Sequence, residues 1–280
     1  MDKQNFCLYM PPLSSITTYR EMVDYAAAHG VTKLETLNIL DLSTPDPEVA
    51  KDLKAYADSK GISFPCVSVG LSLVDDDREE AIEAVKRYAD IAKILGSPYL
   101  HHTIALNFSE PQKIAENFEL FYERGIAAVR EIYDYARTLG IRTIYEDQGF
   151  LFNGVRNFER FLDQVERDVG VVADFGNITQ AGEDIVDFLK AFASRVCHVH
   201  IKDVRLTADN PDGRGLPTLD NRYMHEVPLG TGEVPFAEGM ALLRQVGYDG
   251  YIALETSASA DTAEAVDELV QCANALMGAE

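Results

Sequence analysis

Eight times along the chain, a short run of β-branched and aromatic residues gives way to a longer stretch. Most of these longer stretches repeat their apolar residues every three or four positions. The short runs are FCLYM (6–10), KLETL (33–37), SFPCVSV (63–69), YLHHTI (99–104), TIYED (143–147), GVVADF (170–175), CHVHIK (197–202) and YIALET (251–256). Between two of them, Ile82, Val85, Tyr88, Ile91 and Leu95 fall on one face of a helix spanning 78–95. A second helix over 111–139 carries Ile114, Phe118, Phe121, Val129 and Ile132 in the same way. Gly30, Gly61, Gly96 and Gly140 each close a helical stretch just before a strand, where a left-handed cap is needed, and Pro235 opens another helix. Strands that alternate with helices pair in parallel under a helical cover. Eight units in 280 residues is about 35 each, the size and number of a (β/α)8 TIM barrel, an α/β fold, here read as one domain over 1–280. A doubly wound sheet with a dinucleotide turn is the alternative, but the first turn reads MPPLSS and lacks G-x-G-x-x-G.

One connection breaks the rhythm. Residues 204–233 form a long stretch dense in Gly, Pro, Asp and Asn after the seventh strand. It lies on the face where barrel enzymes build their sites, and reads as a lid or substrate loop, with an inert insertion as the alternative.

Charge and cysteine usage narrow the partners. With 46 acidic against 25 basic residues, a net charge of −21, the chain repels nucleic acid and anionic membrane surfaces. It opens MDKQNF without an apolar leader and has no apolar run approaching the ~18 residues of a membrane span. Cys7, Cys66, Cys197 and Cys272 are widely spaced, without C-x-x-C, as expected of buried reduced thiols. A cytoplasmic protein is the expectation.

Polar residues at strand C-termini mark the chemistry. Glu146, Asp174, His200 and Glu255 each interrupt an apolar run at its end, on strands five, six, seven and eight. Each would be costly to bury without a partner. Three carboxylates and an imidazole converging at one depth call for a compensating divalent cation. A ligand set rich in oxygen with one nitrogen suits Mn2+ or Mg2+, and Co2+ and Zn2+ also fit. Four separately satisfied polar residues are the bland alternative.

The sequence resembles the xylose isomerase-like TIM-barrel family, the sugar-phosphate isomerase/epimerase superfamily. The resemblance rests on Tyr145-Glu146-Asp147, Asp174-Phe175-Gly176-Asn177 and His198-Val199-His200-Ile201-Lys202-Asp203. It continues through Pro228-Leu229-Gly230-Thr231-Gly232-Glu233 and Gly247-Tyr248-Asp249-Gly250 into Glu255. It implies that Glu146, Asp174, His200 and Glu255 are metal ligands, with Glu146 and Glu255 also the acid/base pair. The family often has a histidine three residues after the strand-six aspartate, where this chain has Asn177, so that contact becomes an amide. That departure, the lack of Asp-x-His in the following loop and the acidic surface all argue against the related apurinic-site endonucleases.

A cation held by a substrate carbonyl and its neighbouring hydroxyl acidifies the C–H between them, and two flanking glutamates can move that proton. Isomerisation or epimerisation of a small carbohydrate is the leading expectation. Elimination, as in inosose dehydratase-like or 3-keto-glycoside lyase members, is the rival, and a non-catalytic binding barrel is a third. Substrate contacts are expected from Asn177, Arg205, Lys202, Glu35 and one of His101 and His102, since neighbours on a strand face opposite ways. Glu35 could instead cap a helix. His198 lies one layer deeper than His200 and reads as structural. Arg222 and the glycines Gly230 and Gly232 are weaker phosphate candidates. A homo-oligomer is left open by the long lid, because such barrels often pair across their pockets.

Overall fold

The computed structural model describes residues 6–10, 15–106, 110–211 and 213–255. Seven parallel strands form its main sheet: β1 (Phe6–Leu8), β2 (Cys66–Val69), β3 (Tyr99–His102), β4 (Arg142–Glu146), β5 (Gly170–Asp174), β6 (Val196–Ile201) and β10 (Tyr251–Leu254). They run in the order β1-β10-β6-β5-β4-β3-β2. The expected second strand is reduced to isolated parallel bridges, Leu8↔Leu34 on one side and Lys33↔Ser63 and Thr36↔Val67 on the other. Backbone N–H groups of Glu35 and Ser68 donate across these seams to Leu8 and Thr36, so the segment closes the sheet into an eight-membered ring. The TIM barrel read from the alternation is therefore the observed architecture.

The wall carries helices α1 (Tyr19–Ala28), α2 (Pro47–Ser59), α3 (Arg78–Leu95), α4 (Pro111–Glu116), α5 (Phe118–Thr138), α6 (Val155–Val165), α7 (Ile185–Phe192) and α8 (Phe236–Gln245). Their apolar faces bury Met22, Leu53, Val85, Ile132, Phe161 and Leu243 against the outward strand residues Val67, Leu100, Tyr145, Val171, Val199 and Ile252. The helix expected over 111–139 is broken at Asn117, whose side-chain N–H donates to the Lys113 carbonyl and competes with the backbone ladder. Gly30, Gly61, Gly96 and Gly140 all take positive φ, between 71° and 76°, as the cap reading requires. Pro235 stands at the N-cap of α8, one position earlier than a first-turn proline.

Inward-facing residues are layered. At the floor, Cys66, Ile144 and Val172 pack with Tyr99 and Cys197. A bulge between β5 and β6 at this level leaves Cys197 unpaired and brings Asp174 opposite His200. Above the floor the interior turns polar.

The stretch after β6 is not coil. It folds as β7 (Asp203–Thr207), β8 (Leu216–Pro217) and β9 (Tyr223–Val227), an antiparallel sheet in the order β7-β9-β8. Cys272 and the last residue of the YIALET run lie outside the described residues. Among the described residues, no helix is long and apolar enough to cross a membrane.

A candidate metal centre at the barrel mouth

Alternation along the strands decides which side chains meet. Glu146 ends β4, Asp174 ends β5, His200 is the fifth residue of β6 and Glu255 follows β10. Parity turns all four inward. Each offers a ligand atom, and these atoms all lie within 4.8 Å of one another. His200 Nδ1 is 3.3 Å from both Glu146 Oε2 and Glu255 Oε2. Glu146 Oε2, Asp174 Oδ2, His200 Nδ1 and Glu255 Oε2 are all buried without a hydrogen-bond partner. Four orphaned donor atoms turned toward one point fit a cation, since a buried polar atom left unpaired costs about 1–3 kcal/mol.

The remaining atoms of these ligands are spoken for. Asp174 Oδ1 accepts the backbone N–H groups of Gly176 (2.8 Å) and Asn177 (2.9 Å), which leaves Oδ2 facing the centre and the Lys202 ammonium. Lys202 reaches in from beyond β6, with Nζ 3.2 Å from Asp174 Oδ2 and 2.9 Å from Glu255 Oε1. Its stem lies over Gly176, where a Cβ would come within 2.5 Å of Lys202 Cγ, so the glycine makes room for the lysine.

The charges shape each other. Burial alone would lower the His200 pKa, but Glu35, Glu146 and Glu255 together hold it well above the usual imidazole range. Burial also drives Asp174 up, against the pull of Lys202. For Glu255 burial pushes up, yet Lys202 and His200 bring it below the ordinary carboxylate value. Lys202 is held up by Asp174, Glu255 and Glu146 despite its burial.

The other residues singled out in the sequence divide sharply. His101 joins the centre, its Nε2 3.6 Å from Glu146 Oε1 and its Nδ1 3.0 Å from Ser68 Oγ. His102 faces the opposite way, against the helices: the Tyr145 hydroxyl donates to its Nε2 at 2.7 Å and its Nδ1 donates to the Thr103 carbonyl at 3.0 Å. Asn177 is buried, with its amide Nδ2 unpartnered and its carbonyl accepting from Asn153.

Glu35 caps no helix among the described residues. It is fully buried and its oxygens are occupied by His198, His200 and Ser68. His198 is tied to Glu35 as a structural residue would be. Arg205 is exposed and donates to the Thr231 carbonyl of the neighbouring loop, and Arg222 pairs with Asp220. The Gly230 and Gly232 N–H groups do form an anion cradle, but its occupant is the chain's own Asp203: both donate to Asp203 Oδ2 at 2.8 Å.

Sequence reasoning passed over Ser68, Asp147, Tyr9 and Asp203. Ser68 shares the inward parity of Cys66, which was a usable signal. Asp147 follows Glu146 beyond β4 and accepts the Asp174 N–H, and burial followed by the charges of Asp174 and Glu146 holds its pKa well above the usual range. Tyr9 packs its ring 5.0 Å from that of His200.

The fold is a closed barrel whose mouth gathers four groups that could hold a metal ion. The chain belongs to the xylose isomerase-like TIM barrel family, whose profile matches residues 23–276. An inosose dehydratase of Geobacillus thermodenitrificans (strain NG80-2) is 23% identical over 258 residues, covering 88% of this chain and 84% of its own. The D-psicose 3-epimerase of Clostridium cellulolyticum H10, solved with D-tagatose, superposes with a TM-score of 0.71 at 17% identity, covering 98% of this chain and 97% of its own. A xylose isomerase-like TIM barrel protein of Mycobacterium smegmatis, solved in complex with magnesium, gives a TM-score of 0.70 at 18% identity, covering 92% and 89%. The superfamily is one of enzymes, and the relatives of this chain include inosose dehydratases.

Proposed function

We propose that the protein is a divalent-cation-dependent isomerase or epimerase of a small carbohydrate, which moves a proton at the carbon beside a carbonyl. The convergence of the four orphaned donor atoms carries this reading. Glu146, Asp174, His200 and Glu255 would hold the ion, Mn2+ in the first instance, with Mg2+, Co2+ or Zn2+ as fitting occupants. When bound, the cation supplies Lewis acidity to a carbonyl and an adjacent hydroxyl.

The chain's own groups do the rest. Glu146 and Glu255 are two carboxylates on strands separated by β5 and β6, placed to take a proton on one side of a carbon and return one on the other. Glu146 is almost fully buried and Glu255 is about a fifth exposed at its side chain (22%), so the two meet substrate from different depths. Asn177 Nδ2 and His101 Nε2 are free to meet hydroxyls. Lys202 keeps the carboxylates together while leaving Glu255 Oε2 unengaged.

A second reading is elimination. It is favoured by the inosose dehydratases among the relatives and begins with the same proton removal, ending in loss of a β-hydroxyl. Incubation of the Mn2+-loaded protein with free ketoses, inososes and their phosphates in D2O separates the two. Deuterium beside the carbonyl with the carbon skeleton and hydroxyl count intact supports the first reading. Loss of water with a new enone absorbance moves the assignment to the dehydratase. Under saturating cation, Glu255→Gln should lower turnover by about 10²–10⁴-fold with unchanged circular dichroism. A variant of near-native activity would remove Glu255 from the chemistry.

A further inference from the structure

Beneath the metal centre lies a closed polar network that the proton-transfer reading leaves unused. Glu35 comes from the bridging segment between β1 and β2, and β6 stands three places round the wall from it, so its carboxylate reaches His198 and His200 through the barrel interior. Its Oε1 accepts from Ser68 Oγ and lies 3.1 Å from His200 Nε2, and its Oε2 lies 2.7 Å from His198 Nε2. Glu35, His198 and His200 are all fully buried.

From this geometry we infer that Glu35 is a positioning residue, which fixes His200 with its proton on Nε2 and so presents the bare Nδ1 to the cation. The reasoning is directional. A carboxylate only accepts, so His200 Nε2 must be the donor in that contact. The lone pair of the neutral ring is then on Nδ1, the atom 3.3 Å from Glu146 Oε2 and Glu255 Oε2 and otherwise unpartnered. Without Glu35 the ring can carry its proton on Nδ1 instead and donate it to Glu146 or Glu255. That state blocks one ligand with the proton and engages another. Ser68 pins the same Glu35 oxygen and hands its other contact to His101 Nδ1, so the network orients two of the histidines around the centre together. Outer carboxylates of this kind on a ligating histidine are generally worth about 10–100-fold in metal affinity.

This inference rests on the proposed metal centre, and the test keeps the two apart. Zn2+ is diamagnetic and serves as the probe, without substrate. Calorimetry on the wild-type chain and on Glu35→Gln gives the affinities, and nitrogen-15 spectra of labelled histidines report which ring nitrogen carries the proton. The expected result is a Zn2+ affinity lowered about 10–100-fold in Glu35→Gln, and in the Zn2+-loaded wild type a His200 ring with its proton on Nε2. Ser68→Ala, which touches no ligand, should lose affinity in the same direction but less. Equal affinity, even with a lowered melting temperature, would reduce Glu35 to a structural residue and overturn the inference alone. Should Glu35→Gln not fold, the loaded wild type still decides: a proton on His200 Nδ1 in the presence of Zn2+ overturns it. A wild type that binds no divalent cation would reject the metal centre and this inference with it.

Discussion

Two adjacent histidines show what a single residue's direction is worth. His101 and His102 are indistinguishable by type, yet one lies beside Glu146 and the other is sealed between Tyr145 and the Thr103 carbonyl. The second ring is satisfied only as a neutral species, because its Nε2 accepts and its Nδ1 donates. Burial drives its pKa down from the ordinary 6.5 of a histidine to about 3. A folded-state value below the unfolded one means that the unfolded chain takes up the proton first as the pH falls. The stability is therefore intact above about pH 6.5 and is lost as the pH drops toward 3, by up to about 1.4 kcal/mol per pH unit from this residue. His102→Gln can keep both hydrogen bonds without titrating. Its urea-unfolding free energy should fall less steeply than the wild type's between about pH 6 and pH 4. Parallel pH profiles would show that His102 is not the group being titrated.

At the scale of elements, the region after β6 departed furthest from expectation. Its Gly, Pro, Asp and Asn content masked two runs, DVRLT and YMHEV, that pair in antiparallel register from Asp203↔Val227 to Thr207↔Tyr223. Asp203 anchors the far end of this insertion: its carboxylate takes the N–H groups of Val204, Gly230 and Gly232. The glycine at 232 is required by space, since a Cβ there would fall within 2.5 Å of the Val204 carbonyl oxygen as well as against the Asp203 carboxylate. Gly232→Ala should therefore cost about 1–3 kcal/mol, read as a lowered denaturation midpoint. It should also reduce activity if the insertion borders the substrate. An alanine variant as stable as the parent would show that the Asp203 clamp is loose.

For the whole molecule, closure of the barrel gathers like charges. Glu35, Glu146, Asp174 and Glu255 share the upper interior with Lys202, the one lysine there among the described residues, and with imidazoles. A divalent cation that binds only the folded chain should stabilise it by about 2.7 kcal/mol at a hundredfold excess over Kd, roughly 5–10 °C in Tm for a chain of this size. Lys202→Met removes the only ammonium that the described residues bring to the cluster. The metal-free variant should lose about 3 kcal/mol, as expected when one partner of a buried pair is deleted, and its cation-induced rise in Tm should exceed that of the wild type. Thermal scans with EDTA and with Mn2+ measure both. A Tm indifferent to cation in the wild type would count against the metal centre.

The chain's alternation was enough to specify the barrel, because the period of apolar residues is local and each unit of strand and helix states its own type. The same local rule marked Glu146, Asp174, His200 and Glu255, polar residues that broke apolar strands at their ends. What lay beyond it was partnership. Glu35 and His200 are separated by 165 positions, and nothing in the sequence near either one announces the other. Nor could composition tell that Lys202 bends inward over a glycine, that Arg205 serves a loop carbonyl, or that Asp203 fills the Gly230 and Gly232 cradle. Those outcomes depend on which strands become neighbours when the ring closes, a long-range geometry that only the packed tertiary structure decides.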